Sequence, residues 1–141
     1  MNDAEFYGFL AVQMALTFGV VCFVILWRGP WDSARYAGFA LLVTGIIFFF
    51  TARFQLGKSF SVTAQARQLV THGLYSKIRN PIYVFSSMMV LGVLLVIQKP
   101  LLFVFLAVLI VIQTWRAQKE AQVLEDKFGD EYREYRRHTW F

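Results

Sequence analysis

The run FYGFLAVQMALTFGVVCFVILW, from Phe6 to Trp27, decides the class of the fold, because it carries no charged side chain from end to end. A helix needs about 20 apolar residues to cross the hydrocarbon core of a bilayer, with roughly 17 to 25 tolerated. Phe6–Trp27 meets that length. A secretory leader opens on basic residues and has a shorter apolar stretch. Here Met1-Asn2-Asp3-Ala4-Glu5 precedes the run and is acidic, so a retained membrane helix is expected. Cys22, inside the run, is the chain's one cysteine. That excludes an intrachain disulfide and a cysteine-based zinc site, and it suits a buried, inert thiol.

Outward from this helix, Tyr36 to Ala52 forms a second apolar run closed by Arg53, Ile82 to Ile97 a somewhat short third, and Leu101 to Trp115 a fourth. Gln98-Lys99-Pro100 is only long enough for a tight helical hairpin. Either the last two helices are short spans, or the fourth extends into its polar continuation after Trp115. Trp27, Trp31 and Tyr36 cluster around the first loop, where amphipathic rings favour the membrane–water interface. The expected fold is all-α: one domain over residues 1–141, a bundle of four transmembrane helices at about 6–27, 36–52, 82–97 and 101–115, then a C-terminal tail. Composition agrees. Of 141 residues, 57% are hydrophobic and 16% charged, against roughly a quarter charged in soluble domains. This excludes a disordered chain, a disulfide scaffold and a large soluble enzyme.

Lys and Arg set the sides. Arg53, Lys58, Arg67, Lys77 and Arg79 lie between the second and third runs, and Arg116, Lys119, Lys127, Arg133, Arg136 and Arg137 follow the fourth. With four spans these segments share one side with the N-terminus, and the positive-inside tendency makes it cytoplasmic. Only Arg28, Arg35 and Lys99 remain on the other. The net charge of +5 is thereby explained by topology and by contact with anionic membrane lipids. No nucleic-acid module is recognisable, and nucleic-acid binding is not expected.

Two segments carry the chemistry. No Asp or Glu occurs between Ser33 and Lys119, so the loop before the third helix is basic and without acids. Within it stands Leu69-Val70-Thr71-His72-Gly73-Leu74-Tyr75-Ser76-Lys77-Ile78-Arg79-Asn80-Pro81-Ile82-Tyr83. Gly73 permits a turn that a side chain would obstruct, Pro81 suits the first position of a helix, and Asn80 is placed to cap it. Such a helix start presents N–H groups to a carboxylate or phosphate. The second segment begins with Arg116 and Glu120, four apart on one helix face, with Gln113 on the same face. Charged groups at the end of an intramembrane helix face a bundle interior or a wet cavity in preference to lipid. Leu124, Phe128, Tyr132 and Tyr135 then alternate with charge, as an amphipathic helix, a break at Gly129 and a second short helix along the membrane surface.

These two segments resemble the isoprenylcysteine carboxyl methyltransferases and their relatives among phospholipid methyltransferases. The family signature Gly-x-Tyr-x-x-x-Arg-His/Asn-Pro-x-Tyr stands here as Gly73 to Tyr83, and the tail pattern as Arg116, Glu120, Leu124, Phe128-Gly129, Tyr132 and Tyr135. Leu56-Gly57-Lys58-Ser59-Phe60-Ser61 also looks like the segment after the family's preceding helix. The likeness covers about Phe48 to Trp140. It implies an integral membrane methyltransferase that uses S-adenosylmethionine, with no metal. Its cofactor pocket would be cytoplasmic, between residues 69–83 and 116–135, and a lipophilic substrate would enter from the bilayer.

By the resemblance, backbone around Leu69, Val70, His72 and Gly73 contacts the cofactor together with Arg79, Asn80 and Pro81. Tyr75 and Tyr83 wall the pocket, Glu120 holds a polar end of the cofactor, and Arg116 stands nearer the acceptor as the other catalytic residue. Three positions depart from the family pattern: Ala121 replaces the second Glu of a pair, Leu74 a frequent Pro, and Asn80 the commoner His. The last removes a titratable group and argues against an obligatory imidazole base. Carboxylate, amine, thiol and sulfide acceptors stay open. So do two other classes, an NADPH-dependent membrane reductase of the sterol reductase type and a non-catalytic membrane scaffold.

Overall fold

A computed structural model describes residues 3–57 and 69–141; Lys58, Ser59, Phe60, Ser61 and Arg67, invoked above, lie outside them. Among the described residues five α-helices run in order: α1 (Asp3–Leu26), α2 (Ser33–Leu56), α3 (Pro81–Ile97), α4 (Phe103–Phe128) and α5 (Asp130–His138). Single 3₁₀ turns stand at Gly73–Ser76 and Pro100–Leu102. Among the described residues, three helical stretches are long and apolar enough to cross a membrane: Ala4–Leu26, Ser33–Leu56 and Pro100–Phe128. The chain is thus a multi-pass, all-α membrane bundle. The expected four spans become three long helices and a shorter one, since α3 has 17 residues and at about 1.5 Å per residue extends only about 25 Å.

Helix ends depart from the apolar runs for local reasons. Asp32 caps α2 by accepting the Arg35 N–H at 2.9 Å, which starts the helix ahead of Tyr36. That bond, and after it the Gln98 amide, hold the Asp32 carboxyl below its ordinary range. Arg53 lies in the last turn of α2, which runs on to Leu56. α4 continues past Trp115 through Ala117-Gln118-Lys119-Glu120-Ala121, all strong helix formers but for their polarity. It stops at Gly129, whose φ of +53° is a conformation that glycine adopts without strain.

α2 and α3 pack antiparallel with their backbones in contact. Gly38 faces Gly92, and Gly45 faces Phe85 and Met89. A Cβ on Gly92 would stand 2.6 Å from the Gly38 oxygen and 2.7 Å from the Leu42 nitrogen. Small residues allow this approach, which is how membrane helices gain packing without a hydrophobic driving force. Phe48 stacks on Phe85 with centroids 5.0 Å apart. At the other end of the pair, the Gln98 amide donates to both Asp32 oxygens at 2.8 and 2.9 Å.

α1 is held to α2 by two buried arginines. Arg35, 1% exposed, donates to the carbonyls of Val24, Trp27 and Gly29 and lies 4.5 Å from the Trp31 ring centre. It caps the C-terminal end of α1, where the helix dipole favours a cation. Arg53 is fully buried, donating to Gln13 at 3.2 Å and the Gly57 carbonyl at 3.0 Å, against the rings of Phe6 and Phe9. Val24, Leu42 and Val96 form the core between these anchors. Cys22 is half-buried, not buried. Replacing Arg35 by Met takes this donor from the Trp27 and Gly29 carbonyls just beyond α1, and hydrogen bonds to charged groups are worth about 1.5–3 kcal/mol. Thermal unfolding in detergent should show Tm lower by about 5–15 °C, with Arg35→Lys restoring only part, because an ammonium lacks the planar fork.

Candidate functional site

α3 and α4 meet along a polar seam inside an otherwise apolar pair of helices. On α4 the face is Gln113, Arg116 and Glu120; on α3 it is Tyr83, Ser86 and Ser87. The Tyr83 hydroxyl donates to Glu120 Oε1 at 2.5 Å, and the Arg116 guanidinium lies 5.9 Å from the Tyr83 ring centre. One turn away, the Ser87 hydroxyl donates to Gln113 Oε1 at 2.6 Å and the Gln113 amide donates to Ser86 Oγ at 2.9 Å. The Ser86 hydroxyl donates onward to the Tyr83 carbonyl at 3.0 Å. Hydrogen bonds between membrane helices fix rotation and register as well as adding modest stability. The Gln113 rung therefore sets how Arg116 and Glu120 meet Tyr83.

The second part of the site is the turn before α3. Gly73 has φ +62°, and a Cβ there would come within 2.4 Å of the Gln55 side chain. Gln55, in the last turn of α2, accepts the Leu74 N–H at 2.7 Å and so seats the turn on the bundle. Tyr75 is buried, and its carbonyl accepts the Tyr135 hydroxyl at 2.7 Å. Burial pushes the Tyr135 hydroxyl up to about 12. It also raises those of Tyr75 and Tyr132, with the Arg79 charge beside Tyr132 pulling the other way. All three therefore remain protonated donors well above neutral pH. Arg79 Nε is buried and has no hydrogen-bond partner among the described residues.

The C-terminal segment closes over this turn. Trp140 pairs with Ile78 as a parallel bridge: the Trp140 N–H donates to the Lys77 carbonyl at 3.0 Å, and the Arg79 N–H donates to the Trp140 carbonyl at 3.1 Å. The Asn80 N–H donates to the main-chain oxygen of Phe141 at 2.9 Å. α5 is tied back to α4 by pairs of Arg133 and Arg136 with Glu125, which, open to solvent, contribute little to stability.

Asn80 corrects one expectation. Its side chain makes no capping bond to α3. Its main-chain oxygen accepts the Tyr83 and Val84 N–H groups at 3.1 and 3.2 Å, so those donors are already taken. Pro81 is fully buried as the first residue of α3.

The site residues drawn from the sequence fall into two groups joined at Pro81. Tyr83, Arg116 and Glu120 come together on the seam. Gly73, Tyr75, Arg79 and Asn80 form the turn. Leu69 and Val70 are half-buried on the approach to it, and His72 is exposed with its carbonyl accepting the Tyr75 N–H at 3.2 Å. Sequence reasoning missed Gln55, Ser86, Ser87 and Trp140. The serine pair had a signal, lying one turn beyond Tyr83 in an apolar helix. Gln55 and Trp140 had none, because their partners are main-chain groups distant in sequence.

A family model described as phospholipid methyltransferase matches residues 33–131. No curated protein matches the chain.

Proposed function

The chain belongs to the phospholipid methyltransferase family, and from that premise we propose that it moves the methyl group of S-adenosylmethionine to a lipophilic acceptor held in the bilayer. The observation that carries this reading is the adjacency of two opposite polar elements. The Tyr83–Glu120–Arg116 cluster stands at the start of the helix whose preceding turn holds the unpaired Arg79 Nε.

That buried donor fits the carboxylate of the cofactor's amino-acid end, and the Glu120 carboxylate fits a hydroxyl or ammonium group. Residues 69–83 and 116–135 would hold the cofactor. When bound, it supplies a sulfonium methyl already activated for in-line displacement, so the protein's task is alignment. Alignment of this kind can remove about 7–11 kcal/mol from a barrier. Arg116 faces the acceptor and Glu120 holds the donor side in register through Tyr83. A carboxylate acceptor needs no base. An amine or thiol acceptor gives up a proton, and Glu120 is the acid–base group in reach of the seam.

α3 runs antiparallel to α2 from the Gly38–Gly92 contact to Gly45 and Phe85, which supports a fourth crossing despite its length. The seam between α3 and α4 then opens toward lipid, and the turn, α5 and both termini take the cytoplasmic side. No observation favours a reductase or a non-catalytic scaffold.

Calorimetry of S-adenosylhomocysteine binding to the detergent-purified protein tests the proposal. Wild type should bind, and Arg79→Ala should raise Kd at least about tenfold, the loss of one charge-assisted hydrogen bond. Absence of binding by wild type overturns the function; equal binding by the variant overturns the assignment of Arg79. Transfer of labelled methyl into total membrane lipid then identifies the acceptor.

A further inference from the structure

The family match ends at residue 131, yet the chain beyond it is what grips the turn ahead of α3. We propose that Trp140 is a positioning residue of the cofactor site, its main chain clasping Lys77 and Arg79 so that the Arg79 guanidinium is held ready for the cofactor's anionic end. This rests on the methyltransferase reading above.

The clasp is made by backbone. Trp140 donates to residue 77 and accepts from residue 79 at 3.0 and 3.1 Å, so Ile78 and Arg79 are fixed from both sides, while the Trp140 side chain is 60% exposed. The Tyr135 hydroxyl on the Tyr75 carbonyl adds a second grip earlier in the same turn. The Thr139 hydroxyl donates to the Tyr135 carbonyl at 3.0 Å, closing the end of α5 just before the bridge. A free arginine side chain has large rotamer entropy. A residue whose main chain is fixed and whose guanidinium already lies beside Tyr132 loses less of that freedom on binding an anion, which is preorganisation. Linkage makes the effect reciprocal: a ligand that needs the turn in place tightens the clasp.

Trp140→Pro deletes the N–H that Lys77 accepts and keeps the carbonyl. Kd for S-adenosylhomocysteine should rise about tenfold while kcat at saturating cofactor stays within about twofold. Trp140→Phe keeps the N–H, and its affinity should stay within about twofold of wild type. In the unmodified protein, S-adenosylhomocysteine should slow amide exchange at Arg79, Asn80 and Trp140 together. Wild-type affinity in the proline variant, or exchange at these amides unmoved by bound ligand, overturns the clasp and leaves the function standing. If the proline variant does not fold, the exchange measurement decides alone. A wild type that binds no S-adenosylhomocysteine overturns the function and this proposal together.

Discussion

Glu120→Gln should lower methyl transfer by about two to three orders of magnitude while Tm moves by only a few degrees. The amide has the shape of the carboxylate and keeps an oxygen to accept the Tyr83 hydroxyl, which Glu120 takes at 2.5 Å, so the α3–α4 seam should stay closed. What is lost is the negative charge beside Arg116. A charge facing the inside of a membrane bundle is retained because it is paired. Removing the carboxylate takes a counter-charge from beside Arg116 and, in the proposed mechanism, removes the group that would take a proton. Acid–base and electrostatic contributions of single groups run to about 10²–10⁴ in rate.

Tyr83→Phe deletes only the donor, leaves both charges, and should cost about tenfold. Initial rates beside thermal unfolding separate the two. A Gln variant within threefold of wild type would remove Glu120 from the catalytic machinery.

The legible and illegible parts of this molecule divide along a physical line. Hydropathy marks where lipid must cover the chain, and so α1, α2 and α4 could be read from their apolar runs. It does not mark where a helix stops, because the backbone of Lys119 and Glu120 is as content in α4 as that of Val111. Arg35 and Arg53 illustrate the converse. As charges they look like boundaries, but each spends its guanidinium on carbonyls or a side-chain amide and is buried.

The motif spacing correctly put Arg116 and Glu120 on one face, because 3.6 residues per turn dictates it, and the structure puts Tyr83 opposite them. No spacing rule brings Trp140 to Ile78 or Gln55 to Leu74. Those pairings depend on α5 folding back at Gly129 and on how α2 ends, both set by tertiary packing.

The largest structural effect should come from Gly92. Its absent Cβ would meet the Gly38 oxygen, the Leu42 nitrogen and the Leu42 Cα at 2.6–3.0 Å, all backbone atoms with no rotamer to change. Gly92→Ala therefore forces α2 and α3 apart. Overpacking typically costs about 1–3 kcal/mol, set against about 1 kcal/mol gained from alanine's helix propensity, while Gly92→Leu should prevent a stable bundle. Gly45→Ala provides the contrast. The atom nearest its Cβ would be Met89 Cγ at 2.8 Å, with the Met89 nitrogen and the Phe85 oxygen at 3.1 and 3.2 Å, so the backbone is met less closely than at position 92 and this variant should lower Tm by less than Gly92→Ala. Gly38→Ala, meeting the Gly92 oxygen and Leu95 Cβ at 2.7 Å, should fall nearer Gly92→Ala.

Activity should fall further than stability alone explains, because α3 also carries Tyr83. A displacement of α3 by about 1 Å moves that hydroxyl off Glu120, and misplacement of that size can cost about 10²-fold in rate. Thermal unfolding and methyl-transfer rates across the three alanine variants give the check. A wild-type Tm in the Gly92→Ala and Gly38→Ala variants would mean that the close approach of α2 and α3 is not what holds the pair.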